Sequence, residues 1–190
     1  RGGQVQIARR IPTPTPIPVG ILPFNINTQM ILKTPIPINQ AAPYIQNIFN
    51  KYQPATPDIP QGWKSPLNTP ANIQRMAQLA YQYKLHPGLQ PMLALAETQW
   101  LRPAASGTPN LNPYNVLING KQFNYNQSGM GLNYAIDRMP FNITKNWTGQ
   151  GWQNFRQQPT LKNLIHAFNP VDNPGGELDT MIRVAAQIGI

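Results

Sequence analysis

The sequence predicts a mainly α domain that carries a small β-hairpin or long loop and is preceded by an extended proline-rich arm. Three observations predict it. Of the 22 prolines, thirteen fall in residues 1–70 and nine in the remaining 120, so the first third is a different kind of chain. From residue 70 onward, apolar residues recur at three- and four-residue spacing in successive segments, the period of a helix with a buried face. Between two of these segments, residues 102–127 are rich in Asn, Pro and Gly, the residues of turns and loops.

Composition bounds the chemistry. A chain of 190 residues accommodates one domain of moderate size with an extension. It has no cysteine, which excludes a disulfide framework and thiolate metal ligands. Its two histidines, His86 and His166, are far apart and lack a carboxylate cluster, so neither a metal nor a cofactor is expected. The net charge of +9 comes from scarcity of acid: Asp58, Glu97, Asp137, Asp172, Glu177 and Asp179 are the six acidic residues. The bases are dispersed, with no run longer than Arg9-Arg10. Such an excess favours encounter with polyanions, whether nucleic acid, anionic lipid or cell wall. Without a basic stripe along a helix, nucleic acid is not the expected partner. No apolar run reaches the roughly 18 residues of a membrane span. The chain opens on Arg1, as expected of a cleaved product or part of a longer polypeptide.

Residues 1–60 form the arm. Ile11–Pro18 alternates Pro with Ile or Thr, and Lys33–Ile38 repeats the theme; each proline removes a donor and holds its predecessor extended. Ile17, Val19, Ile21, Leu22, Phe24, Ile31 and Leu32 make it too apolar for a solvated linker. It is expected to lie on its own domain or, as the reading preferred here, on other subunits of an assembly. Ala41–Tyr52 reads as a short helix with Ile45, Ile48, Phe49 and Tyr52 on one face. Pro54, Pro57 and Pro60 end the arm.

The domain, residues 61–190, opens near Gln61. Thr69 and Pro70 form a helix start, and the helix to about Tyr83 stripes Ile73, Met76, Ala77 and Ala80. His86 at the following break reads as a cap or packing residue rather than a ligand. Pro87–Trp100 is apolar or small almost throughout and reads as a buried helix. Val116–Ile118, Asn119-Gly120 and Lys121–Tyr125 propose a hairpin on a two-residue turn. Ser128–Met139 is helical, with Pro140 expected to stop it. Phe141–Gln158 is polar but carries Trp147 and Trp152, read as anchors of a loop on the core in preference to sugar-stacking rings. Thr160–Phe168 and Gly176–Ile188 complete the helices.

One residue stands out. Glu97 lies near the end of the most apolar helix in a chain with only two glutamates. A carboxylate there is costly unless it is exposed, paired or used in chemistry; pairing with Arg102 is the ordinary alternative.

Glu97 at the end of a buried helix, followed after a loop by Asn112-Pro-Tyr-Asn-Val116, resembles the lysozyme-like superfamily of peptidoglycan-cleaving enzymes. Gly129–Ile136, Thr160–Phe168, the turn Asn169–Pro174 and the ending Ile188-Gly-Ile190 resemble the closing pattern of its phage and bacterial muralytic members. Thr98 stands after the glutamate, where serine is common in several lytic branches. The resemblance covers roughly residues 70–190. It implies a lysozyme-like fold and a glycosidase or lytic transglycosylase of the goose-type and lytic-transglycosylase branches, in which one Glu acts with the substrate's N-acetyl group. Glu97 would then be the general acid, with Leu93, Ala94 and Trp100 supplying an apolar wall. The other acids offer no partner in the loop facing Glu97, which disfavours a two-carboxylate mechanism; Asp137 reads as a neighbour of Arg138 on a solvated face. Trp100, Asn112, Tyr114, Asn115, Phe123 and Tyr125 are the candidate substrate-binding residues. The expected setting is a phage virion or tail acting at the bacterial cell wall, docked to other subunits through residues 1–60. The alternative is a non-catalytic virion component using the module for binding or plugging.

Overall fold

The computed structural model describes residues 28–51, 59–103, 107–168 and 181–182. Within them the chain is mainly α: helices α1 (Ile38–Lys51), α2 (Pro70–Tyr83), α3 (Leu89–Thr98), α4 (Gly131–Phe141), α5 (Gln150–Gln157) and α6 (Leu161–Phe168), with strands β1 (Leu117–Ile118) and β2 (Lys121–Gln122) between α3 and α4. The expected last helix, Gly176–Ile188, and the turn before it lie outside the described residues except for helical Met181 and Ile182. Met181 is buried in the core.

The described part of residues 1–60 is packed into the domain. Residues 30–32 run extended beside residues 84–86: the Leu32 amide donates to the Lys84 carbonyl at 2.6 Å and the His86 amide to Met30 at 2.8 Å. Helix α1 then lays Ala41, Tyr44, Ile45, Ile48 and Phe49, all buried, against the rest of the core. An apolar stripe that would be costly in water is covered by the chain's own helices. The preference for docking this stripe on other subunits is therefore corrected for residues 28–51. Residues 1–27, including the Ile11–Pro18 repeat, lie outside the described residues.

Helix α2 starts as its sequence requires. Thr69 accepts the Asn72 amide through its side chain at 3.2 Å, and Pro70 occupies the first turn. It ends at Lys84 in the left-handed region. Helix α3 passes through the middle of the core, with every residue from Leu89 to Leu95 buried. At its start the His86 ring, buried as a packing residue was expected to be, accepts the Gly88 amide at Nδ1, 3.1 Å away.

Two local expectations are corrected. Pro140 does not stop α4; the chain continues into a π-turn over Asn142–Asn146, where the Trp147 amide bonds the Asn142 carbonyl. The missing proline donor interrupts the regular ladder, and the wider turn takes up the shift. Asp137 pairs with Arg75 of α2, at 2.6 and 2.9 Å, rather than with Arg138. Arg138 instead lies over the Phe141 ring.

Candidate active site

Helix α3 surfaces where Glu97 stands. Leu89–Leu95 are buried, Ala96 and Glu97 are half-buried, and Thr98 is buried again. Glu97 therefore emerges at the edge of a cleft of about 340 Å³. Tyr114, Asn115, Val116 and Leu117 line it from the loop after α3, and Trp147, Trp152, Ala167 and Phe168 from the segments after α4.

The turn after Glu97 is strained and heavily bonded. Gln99, Trp100 and Leu101 have φ of 47°, 61° and 62°, and for side chains other than glycine this left-handed backbone costs roughly 1–2 kcal/mol per residue. The Gln99 amide bonds the Leu95 carbonyl and the Trp100 amide that of Ala94. Ser65 donates to the Trp100 carbonyl at 2.7 Å. Thr98 accepts the Leu101 amide at 3.1 Å, while its hydroxyl lies 3.0 Å from the carbonyls of both Ala94 and Pro113. That side chain ties the last turn of α3 to the loop that lines the cleft.

The loop is closed by its own polar residues. Asn112, fully buried, accepts the Val116 amide at 3.0 Å and donates to the Val116 carbonyl at 2.9 Å. Gly107 lets the chain pass beneath: its φ is +81°, and a Cβ there would come within 2.5 Å of the Asn112 carbonyl oxygen. Beyond the loop, β1 and β2 pair antiparallel through Asn119 (φ 54°) and Gly120 (φ 73°), the two left-handed positions of a type I′ turn.

The cleft brings Glu97, Tyr114 and Asn115 together and leaves the other candidates elsewhere. Trp100, read as a wall of the site, is a core residue: it is 2% exposed, its indole N–H donates to the Pro91 carbonyl at 2.7 Å, and its ring packs 4.7 Å from Phe49. The left-handed turn folds it back beneath α3. Asn112 shapes the loop from inside. Phe123 and Tyr125 do not line the cleft; they pack edge-to-face on each other at 4.6 Å, with Tyr134 beyond. Tyr114 lines the cleft but is buried, and its hydroxyl donates to Gln90 at 2.6 Å. Burial pushes its phenol well above the usual range, so it stays neutral. Asn115 accepts from the Gln122 amide at 2.7 Å.

Trp147 and Trp152, read as anchors on the core, are that, Trp152 within the buried core and Trp147 packed against it, and they also line the cleft. Trp147 packs 4.7 Å from Trp152 and edge-to-face on Phe168 at 5.3 Å. Two tryptophans in a largely polar segment, with Phe155 three residues after Trp152, were the available signal. Among the described lining residues, Glu97 is the one carboxylate and no cation is present. Among the described residues, no group of three or more His, Cys, Asp or Glu could hold a metal ion, and no helix is long and apolar enough to cross a membrane.

No protein-family model, curated protein or solved structure matches this chain. No family is shown.

Proposed function

We propose that the domain cleaves the glycan strands of peptidoglycan, as a lysozyme-like glycosidase or lytic transglycosylase with Glu97 as its general acid. The observation that carries this reading is that Glu97 and the Asn-Pro-Tyr-Asn loop line one cleft, with Glu97 as the lone described carboxylate. A glycosidic oxygen leaves readily only when protonated, and a positioned acid contributes about 10²–10⁴-fold. Glu97 would donate that proton. The acetamido carbonyl oxygen of the substrate would attack the anomeric carbon as the C–O bond breaks. Water, or the sugar's own 6-hydroxyl, would then open the resulting ring, and Glu97 would recover its proton.

The proposed setting is a phage virion or tail, with docking on other subunits proposed for residues 1–27 rather than for the whole of 1–60. Purified cell walls test the catalytic reading: wild type is expected to clear their turbidity, and Glu97→Gln to lose at least about 100-fold. Equal clearing by both proteins would remove Glu97 from the chemistry.

A binding-only virion component is the second reading. Its support is that the polar groups beside Glu97 already serve the fold: Asn115 Oδ1 accepts from Gln122, and the Tyr114 hydroxyl donates to Gln90. Saturable wall binding without any clearing by wild type would favour it.

A further inference from the structure

We propose that Trp147 is a saccharide-stacking platform of the cleft and that Arg156 is the positioning residue that presents it. The inference rests on the reading of the cleft as a glycan site and adds a binding residue and its support from the segments after α4.

Arg156 spends its guanidinium on backbone. Nε donates to the Thr144 carbonyl at 3.1 Å, and Nη2 donates to the carbonyls of Ile143 and Trp147 at 3.2 and 2.5 Å. These carbonyls belong to the π-turn and to the residue that leaves it. The irregular turn left by Pro140 is thereby fixed at its exit, where Trp147 departs in extended conformation, with φ of −70° and ψ of 135°. A rigid planar fork presets the geometry of three acceptors, which lysine's rotatable ammonium does not.

Trp147 and Phe168 are the partly buried members of their cluster. Trp152 is buried at 9% exposed and backed by Phe155, whereas Trp147 is only partly buried and lines the cleft. The lining selects the ligand. The chain carries +9, whereas the described cleft lining is mostly aromatic and apolar, with one amide and one carboxylate. A flat apolar ring beside an amide and a carboxylate suits an uncharged ligand with one apolar face and hydrogen-bonding edges. A β-linked N-acetylhexosamine has that form: axial C–H groups on one face, hydroxyls and an acetamide at the rim.

The probe is the β-1,4-linked pentamer of N-acetylglucosamine, titrated into the full chain while tryptophan emission and heat are followed. Wild type and Glu97→Gln are expected to bind it saturably, and Trp147→Ala to bind at least about tenfold more weakly, a loss of about 1.4 kcal/mol. Trp147→Phe, which keeps a ring against Trp152 and Phe168, is expected to fall between them. Arg156→Met is expected to weaken binding several-fold in wild type but by less than about twofold in the Trp147→Ala background, since a residue acting through Trp147 has nothing left to position. Thermal melts of each variant accompany the titrations. Unchanged affinity in both Trp147 variants, no binding by wild type, or additive losses in the double variant would each overturn the proposal. Wall clearing on the same preparations separates the two claims: clearing that needs Glu97 while affinity ignores Trp147 sinks the platform alone. Trp147-dependent binding with clearing unaffected by Glu97→Gln sinks the catalytic reading alone.

Discussion

The Thr98 hydroxyl lies 3.0 Å from the Pro113 carbonyl oxygen, which joins the residue after Glu97 to the residue before Tyr114. Through this contact the end of α3 and the loop that follows it are held as one unit. The threonine hydroxyl thus serves as the junction between helix and loop.

Removing that hydroxyl should loosen the cleft. Thr98→Val leaves the Leu101 amide and the Pro113 carbonyl without this partner, and a buried group so orphaned costs about 1–3 kcal/mol. Thr98→Ser should stay within about 1 kcal/mol of wild type. Urea unfolding of the three proteins measures the difference, and equal midpoints for Val and wild type would show that the contact contributes nothing.

Gly107 should tolerate no side chain. Alanine there meets both an unfavourable φ of +81° and the Asn112 carbonyl oxygen at 2.5 Å. Gly107→Ala is expected to cost roughly 1–3 kcal/mol and to reduce wall clearing by displacing the loop, whereas alanine at Gly120, where φ is +73° with nothing nearby, should cost only roughly 1–2 kcal/mol of backbone strain. Comparing the two melting temperatures separates collision from conformation.

Acid should destabilise the domain through His86. Burial holds its imidazole near a pKa of about 4 instead of 6.5, and the neutral ring accepts the Gly88 amide. Between those values the unfolded chain takes up a proton that the folded chain refuses. The stability contributed by the neutral ring is therefore complete above pH 6.5 and is lost as pH falls toward 4, at no more than about 1.4 kcal/mol per pH unit. His86→Asn keeps an acceptor two residues before the Gly88 amide and should show a flatter stability profile over this window. A profile as steep as wild type would assign the acid sensitivity to other groups.

Deleting residues 1–60 should unfold the domain rather than merely undock it. The deletion removes Met30, Ile45, Ile48 and Phe49, all at most 1% exposed, and each buried side chain of this kind is worth about 1.5–3 kcal/mol. Their sum is comparable with the whole stability of a typical domain, about 5–15 kcal/mol. A deletion variant with an unchanged near-ultraviolet circular dichroism spectrum and melt would contradict the packing of α1.

What could be read from the sequence followed from local chemistry. Thr69 and Pro70 announced α2, Asn119-Gly120 announced the hairpin, and the apolar run from Leu89 announced a helix that crosses the core. Long-range partners were not legible. Nothing local says that Asp137 reaches Arg75 across 62 residues, or that α1 covers its stripe with this chain rather than another. The same limit governs the site. Glu97 and the Asn112–Val116 loop stood out by composition, but Trp100 was placed on the wrong side because three consecutive left-handed residues reverse the helical periodicity that located it. Trp147 and Trp152 were legible as anchors on the core, but their polar neighbours hid that the cluster they form with α6 also lines the cleft.

If Glu97 drives cleavage of glycan strands in this cleft, as proposed, mass spectrometry of the soluble fragments from purified peptidoglycan will show it. Wild type is expected to release muropeptides cut at glycosidic bonds, ending in either a reducing or an anhydro sugar, and Glu97→Gln, folded and still binding the pentamer, to release none above the buffer control. Intact walls after digestion by wild type, or the same fragments from Glu97→Gln, would contradict the account.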